Sequence, residues 1–82
     1  MYGVSMSEDE IIVVDATGLD CPMPLLKAKR ALNAMQPGQQ LRVHATDSGS
    51  VRDFRVFAEQ SGHALLDTQE HAGVYTYLLQ KS

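Results

Sequence analysis

Tryptophan is absent from this chain, phenylalanine occurs twice and cysteine once. A single thiol cannot close an internal disulfide, so the sequence gives no sign of an oxidising compartment. With 2 Phe, 3 Tyr and no Trp in 82 residues, any core has to be mainly aliphatic. Basic charge is also scarce: 7 Lys and Arg stand against 10 Asp and Glu, a formal net charge of −3. General nucleic-acid binders carry a basic excess or a strong basic face, so direct nucleic-acid binding is not expected. No apolar run approaches the roughly 20 residues that cross a bilayer, so no membrane role is expected. His44, His63 and His71 are scattered without paired spacing, which points to no metal site. No Gly-rich phosphate loop follows a strand, and no cofactor is implied. Residues 1–10 lack the basic start and apolar stretch of a signal peptide. They are expected to be a flexible lead-in to one domain over residues 11–82, and a cytoplasmic location follows by elimination.

What is present suffices for a small fold. A chain of this length buries only about 60% of its unfolded surface, and 44% hydrophobic residues can supply that core. Ile11 to Asp15 is a β-branched run ending at the turn residues Gly18 and Asp20, and reads as a strand. Leu25, Ala28, Ala31, Leu32 and Met35 share one face of a helix expected from about Pro24 to Met35. Lys27, Lys29 and Arg30 fall on its other face, with Met23 and Leu26 between the two faces. After a turn at Pro37-Gly38, Leu41, Val43 and Ala45 alternate with Arg42, His44 and Thr46 as a half-buried strand.

Asp47 or Ser48 is then expected to cap a second helix, and Ser50 with Asp53 resembles a capping box. Its buried stripe is Val51, Phe54, Phe57 and Ala58, and Gly62 closes it as a left-handed cap. Two strands follow, His63 to Gln69 and Val74 to Gln80, joined near His71-Ala72-Gly73. Tyr75 and Tyr77 lie on one face of the last strand as packing residues. The order β-α-β-α-β-β, with right-handed crossovers, predicts an α/β two-layer sandwich. It has a mixed four-stranded sheet, both helices on one face and the other face partly open.

The stretch Cys21-Pro22-Met23-Pro24 lies where the first strand gives way to the first helix. Pro22 suits the first helical position, where its missing N–H costs nothing. Pro24 disfavours helical angles at Met23, so an irregular first turn is expected. A helix N-terminus stabilises a nearby anion by about 0.3–1 kcal/mol. Asp20 next door opposes ionisation, and the expectation is a moderately activated, exposed thiol with its pKa lowered. The competing reading is a small buried hydrophobe. Asp47 and Asp53 are read as ordinary helix N-terminal carboxylates in a structural role, not as an acid/base pair.

The double-proline cysteine motif follows the turn Gly18-Leu19-Asp20 and opens a helix bearing Lys27, Lys29 and Arg30. With Met35-Gln36-Pro37-Gly38 and the stretch from Thr46-Asp47 to Arg52-Asp53, it resembles the TusA/SirA family of small sulfur-carrier proteins. The resemblance runs from about Ile11 to Lys81 and implies the same two-layer fold. It implies that Cys21 carries sulfane sulfur as a persulfide, with Gly18, Pro22, Pro24 and Asp47 as motif and structural support. A cysteine desulfurase or rhodanese-like protein would be the donor and a downstream sulfur-acceptor protein the recipient, with tRNA 2-thiouridine synthesis among the destinations. Met23, Leu26, Lys29 and Arg30 are the expected partner-docking residues, their positive charge drawing in an acidic partner and aiding ionisation of the thiol. Such a protein is a sulfurtransferase-type relay and not an enzyme turning over small molecules. The alternative is a non-catalytic regulatory or interaction module whose thiol is a redox sensor or structural.

Overall fold

The computed structural model describes residues 11–82, and the expected lead-in lies outside the described residues. Side-chain alternation builds the sheet. In β1 (Ile11–Ala16) Ile12, Val14 and Ala16 turn inward, as do Leu41, Val43 and Ala45 of β2 (Gln40–Ala45). Tyr75, Tyr77 and Leu79 of β4 (Val74–Gln80) and Leu65 of β3 (Ala64–His71) complete the inner face. The sheet order is β1-β2-β4-β3. β1 and β2 pair in parallel, while β4 runs antiparallel to both of its neighbours, so β1, β2 and β3 point the same way.

Both connections between parallel strands are helical, and stepping across the sheet in one direction with right-handed crossovers puts both helices on one face. α1 (Met23–Asn33) buries Pro24, Ala28 and Leu32, and α2 (Ser50–Ser61) buries Ser50 and Phe54. One core joins these to the sheet: Ala28, Leu32 and Met35 meet Leu41, Val43, Phe54, Tyr77 and Leu79. At its centre Phe54 and Tyr77 stack with centroids 4.3 Å apart and planes 3° from parallel. The two-layer expectation is met.

Several local expectations are corrected. α1 begins at Met23 and stops at Asn33, with Pro22 at the N-cap and Pro24 in the first turn. Met35 lies beyond the helix yet is buried, its N–H bonded to the Leu32 carbonyl at 3.1 Å. Gly49, not Asp47 or Ser48, occupies the N-cap of α2, and no side chain caps it. The Ser50 hydroxyl instead donates to the Asp47 carbonyl at 2.7 Å and shares a 2.6 Å hydrogen bond with the Tyr77 hydroxyl. Ser50 has turned into the core to satisfy the buried phenol, so the expected capping box does not form. Val51, expected in the buried stripe, is 38% exposed, because the sheet meets α2 along Phe54, Phe57 and Ala58. β3 runs two residues further than expected, to His71, and a bulge between Leu65 and Asp67 leaves Leu66 outward. The closing turn has positive φ at both Ala72 (53°) and Gly73 (83°), as a type I′ hairpin requires.

Candidate functional site

Ala16 and Ala45 are paired across β1 and β2. Parallel pairing therefore delivers the loops before α1 and α2 to the same edge of the sheet, and both helix N-termini arrive there together. Gly18, at φ 80°, ties these loops by donating its N–H to the Thr46 hydroxyl at 2.8 Å. Thr17 folds back on Asp15, giving it hydrogen bonds from N–H (3.0 Å) and hydroxyl (2.7 Å) that hold the carboxyl below its ordinary pKa. The Asp20 carbonyl accepts the Met23 N–H at 2.8 Å and starts α1. Pro24 is fully buried, so the second proline of the motif anchors the helix start in the core. The Cys21–Pro22 peptide is cis. Cys21 itself is exposed at the tip of this edge, open to another macromolecule.

The neighbour of the thiol is one that sequence reasoning assigned elsewhere. The Cys21 thiol donates a hydrogen bond to Oδ2 of Asp53, a residue 32 positions later in the first turn of α2. Asp47 lies beside it, and its own Oδ2 is buried without a hydrogen-bond partner among the described residues. Gly49 separates the two groups. A Cβ there would come within 3.0 Å of Asp47 Oδ2 and 3.7 Å of the Cys21 Cβ. Because the φ of Gly49 is an ordinary −67°, glycine here serves space and not conformation: a side chain would have to push the Asp47 carboxylate aside.

These contacts reverse the expected sign of the thiol's shift. The hydrogen bond to Asp53 raises the Cys21 pKa, and desolvation and the charges of Asp53 and Asp47 push the same way. No cation is among the causes, so Lys27, Lys29 and Arg30 do not supply the expected help. The physical reason is range: a terminal dipole acts weakly and diffusely, whereas a carboxylate accepting the S–H bond opposes loss of that proton directly. The signal that could have found Asp53 is topological. Two helices following parallel neighbouring strands must start side by side, so an acidic residue in the first turn of the second helix can face a cysteine before the first.

The four expected docking residues are all exposed on α1, and Arg30 lines a separate hollow with Val14, Lys27 and Ala31. Met23 and Leu26 are each 44% exposed, and Lys29 and Arg30 are exposed beyond them. Lys29 is not free in solvent, since its Nζ sits 5.5 Å from the centroid of the Phe57 ring. It edges an open groove of about 250 Å3 between α1 and α2, whose lining also includes Leu25, Arg52 and Asp53. The structure thus brings Cys21, Asp47 and Asp53 together, with Lys29 of α1 lining the same groove as Asp53.

Fold and site define a class: a small two-layer α/β domain displaying one open cysteine at the edge where both helices begin. A family model described as Sulfurtransferase TusA matches residues 12–81. A protein named sulfur carrier protein TusA from Allochromatium vinosum is 52% identical over 69 residues, covering 84% of this chain and 91% of that relative. A putative sulfur carrier protein, YrkI of Bacillus subtilis, is 41% identical over 84% of this chain and 92% of its own length. Among solved structures, a SirA-like protein from Desulfitobacterium hafniense superposes with a TM-score of 0.75 at 25% identity, covering 87% of this chain and 96% of that one. The chain belongs to the TusA family.

Proposed function

We propose that this protein is a sulfur carrier that holds a sulfane sulfur on Cys21 as a persulfide and relays it between two other proteins. The observation that carries the reading is the exposure of the chain's only cysteine at the start of a helix. The names of the relatives support the same role. In the first half-reaction Cys21 loses its proton to solvent and the thiolate attacks the outer sulfur of a donor persulfide. A bond forms between Sγ and that sulfur, the donor's S–S bond breaks, and the donor leaves as a thiolate. In the second, an acceptor thiolate attacks the outer sulfur, the Cys21 S–S bond breaks, and Cys21 departs as thiolate. No oxidant or reductant is consumed, because each step exchanges one S–S bond for another.

The chemistry requires a persulfide donor, for which a cysteine desulfurase or a rhodanese-like protein is suited, and a protein thiol, in tRNA thiolation or another sulfur-using route, as acceptor. Met23, Leu26, Lys29 and Arg30 offer the contact surface, with reaction in the cytoplasm. The raised thiol pKa weighs against the redox-sensor alternative, since sensor cysteines depend on an accessible, low-pKa thiolate. The test is intact-mass measurement after incubation with a cysteine desulfurase and cysteine. One added sulfur, removed by reductant and absent in Cys21→Ser, is the expected result. An unchanged mass with both a desulfurase and a rhodanese-like donor would sink the reading.

A further inference from the structure

Both half-reactions need Cys21 as a thiolate, to attack and then to leave, yet the resting thiol is held as S–H by Asp53. The charged groups around it come from two elements. Asp53 belongs to α2 and touches Sγ, while Asp47 belongs to the loop before α2 and keeps a buried Oδ2, unpartnered among the described residues, at the same place. Asp20, one residue before the cysteine, adds a third acid on the α1 side. Lys29 and Arg52 line the groove that Asp53 also lines, but neither is among the groups that shift the thiol. Asp53, unlike the buried Oδ2 of Asp47, also lines the open groove between the helices, so its carboxylate can be reached from outside.

We infer that Asp53 is a catalytic residue that retains the Cys21 proton in the free carrier, and that the partner fitting this site presents a cationic side chain beside its own reacting sulfur. This rests on the sulfur-carrier reading and adds how the carrier is switched on. An arriving ammonium or guanidinium pairs with the Asp53 carboxylate in the open groove, and the charge of Asp47, with its buried Oδ2, adds to the attraction. The S–H bond to Asp53 is then broken, the proton passes to solvent, and the thiolate forms only inside the complex. After transfer, the terminal sulfur is anionic and repelled by the same two carboxylates, so it is turned outward toward the next acceptor. The device keeps an exposed thiol from reacting with oxidants or stray disulfides between encounters, because the thiolate and not the thiol is the reactive form.

Small disulfides of different charge test this without any sulfur transfer. In each, a bond forms between Cys21 Sγ and one reagent sulfur, the reagent's S–S bond breaks, its other half leaves as thiolate, and the thiol proton goes to solvent. Wild-type protein at pH 7 and low salt is expected to react fastest with cystamine, more slowly with neutral 2-hydroxyethyl disulfide and slowest with dithiodiglycolate. The urea-unfolded chain supplies the baseline order, and Asp53→Asn is expected to bring the folded protein close to it. With iodoacetamide, the midpoint of the pH profile is expected to move down in Asp53→Asn. Each unit of that move raises thiolate at pH 7 about tenfold, but nucleophilicity falls with pKa, so the rate gains about threefold. Equal midpoints in wild type and Asp53→Asn, or a reagent order no steeper than the unfolded baseline, would overturn the proposal. Should Asp53→Asn fail to fold by circular dichroism, a carbon-13 titration of the wild-type Cys21 Cβ decides instead. A midpoint above that of the unfolded chain supports the inference, and one at or below it refutes it. A carrier that fails the mass test while passing these would show the switch to be real and the cargo to be something else.

Discussion

At Cys21 the reactivity of the molecule turns on which of two neighbours acts more strongly. The start of α1 favours a thiolate through a diffuse dipole, and Asp53 favours a thiol through a direct hydrogen bond, and the direct contact prevails. A different single residue strains the backbone. Ala72 adopts φ 53° in the hairpin turn, a conformation that costs an L-residue with a plain side chain about 1–2 kcal/mol. Asn tolerates this region and with Gly73 makes the preferred Asn-Gly type I′ pair. Ala72→Asn is therefore expected to stabilise the protein by about 0.5–1 kcal/mol, read as a raised urea midpoint with an unchanged slope. Equal midpoints would mean that the turn relaxes in solution.

Among the elements, α2 does the most to hold the site, because it carries Asp53 and its start is fastened to β4. The fastening is the hydrogen bond between Ser50 and Tyr77, laid over the stack of Tyr77 on Phe54. Removing the phenol oxygen in Tyr77→Phe leaves Ser50 bonded to the Asp47 carbonyl, so the expected cost is about 1 kcal/mol. Phe54→Ala removes a ring with no solvent exposure and should cost about 3–5 kcal/mol. That is a large share of what a domain of this size has, about 0.05–0.15 kcal/mol per residue. Urea unfolding followed by circular dichroism separates the two. A Phe54→Ala cost near that of Tyr77→Phe would show that the core closes over the gap.

For the molecule as a whole, the titrating groups set how stability varies with pH. The thiol pKa is raised on folding, so the folded protein keeps its proton after the unfolded chain has lost it. That contribution is complete below the unfolded thiol's pKa and is lost as pH rises through the folded one. Asp15 has the opposite sign: its pKa is lowered by Thr17, and its contribution holds above the unfolded carboxyl's pKa and fades as pH falls through the folded value. Thermal unfolding across alkaline pH is expected to show a decline for wild type that is shallower in Cys21→Ser. Parallel curves would remove the thiol from the account. The sheet face opposite the helices carries Arg42, His44, Thr76 and the half-exposed Val13, so a single covered face suffices for the core.

The two periodicities of the chain determined the architecture by themselves. Alternation in Leu41 to Ala45 and the helical spacing from Leu25 to Leu32 specify which faces must be buried, and the handedness of crossovers then leaves little choice of topology. Cys21 was legible as the candidate thiol for the same reason, since its place at a strand-to-helix junction is a local property. The tertiary structure alone decided the environment of that thiol. Asp53 and Asp47 reach Cys21 only because parallel pairing of β1 and β2 brings two distant helix starts to one edge. It likewise decided the fate of Ser50, which a local rule makes a helix cap and a buried phenol on another strand claims instead. Local spacing governs what a segment must bury, but the charge a side chain feels is set by whatever lies within a few ångströms, and chain folding chooses that.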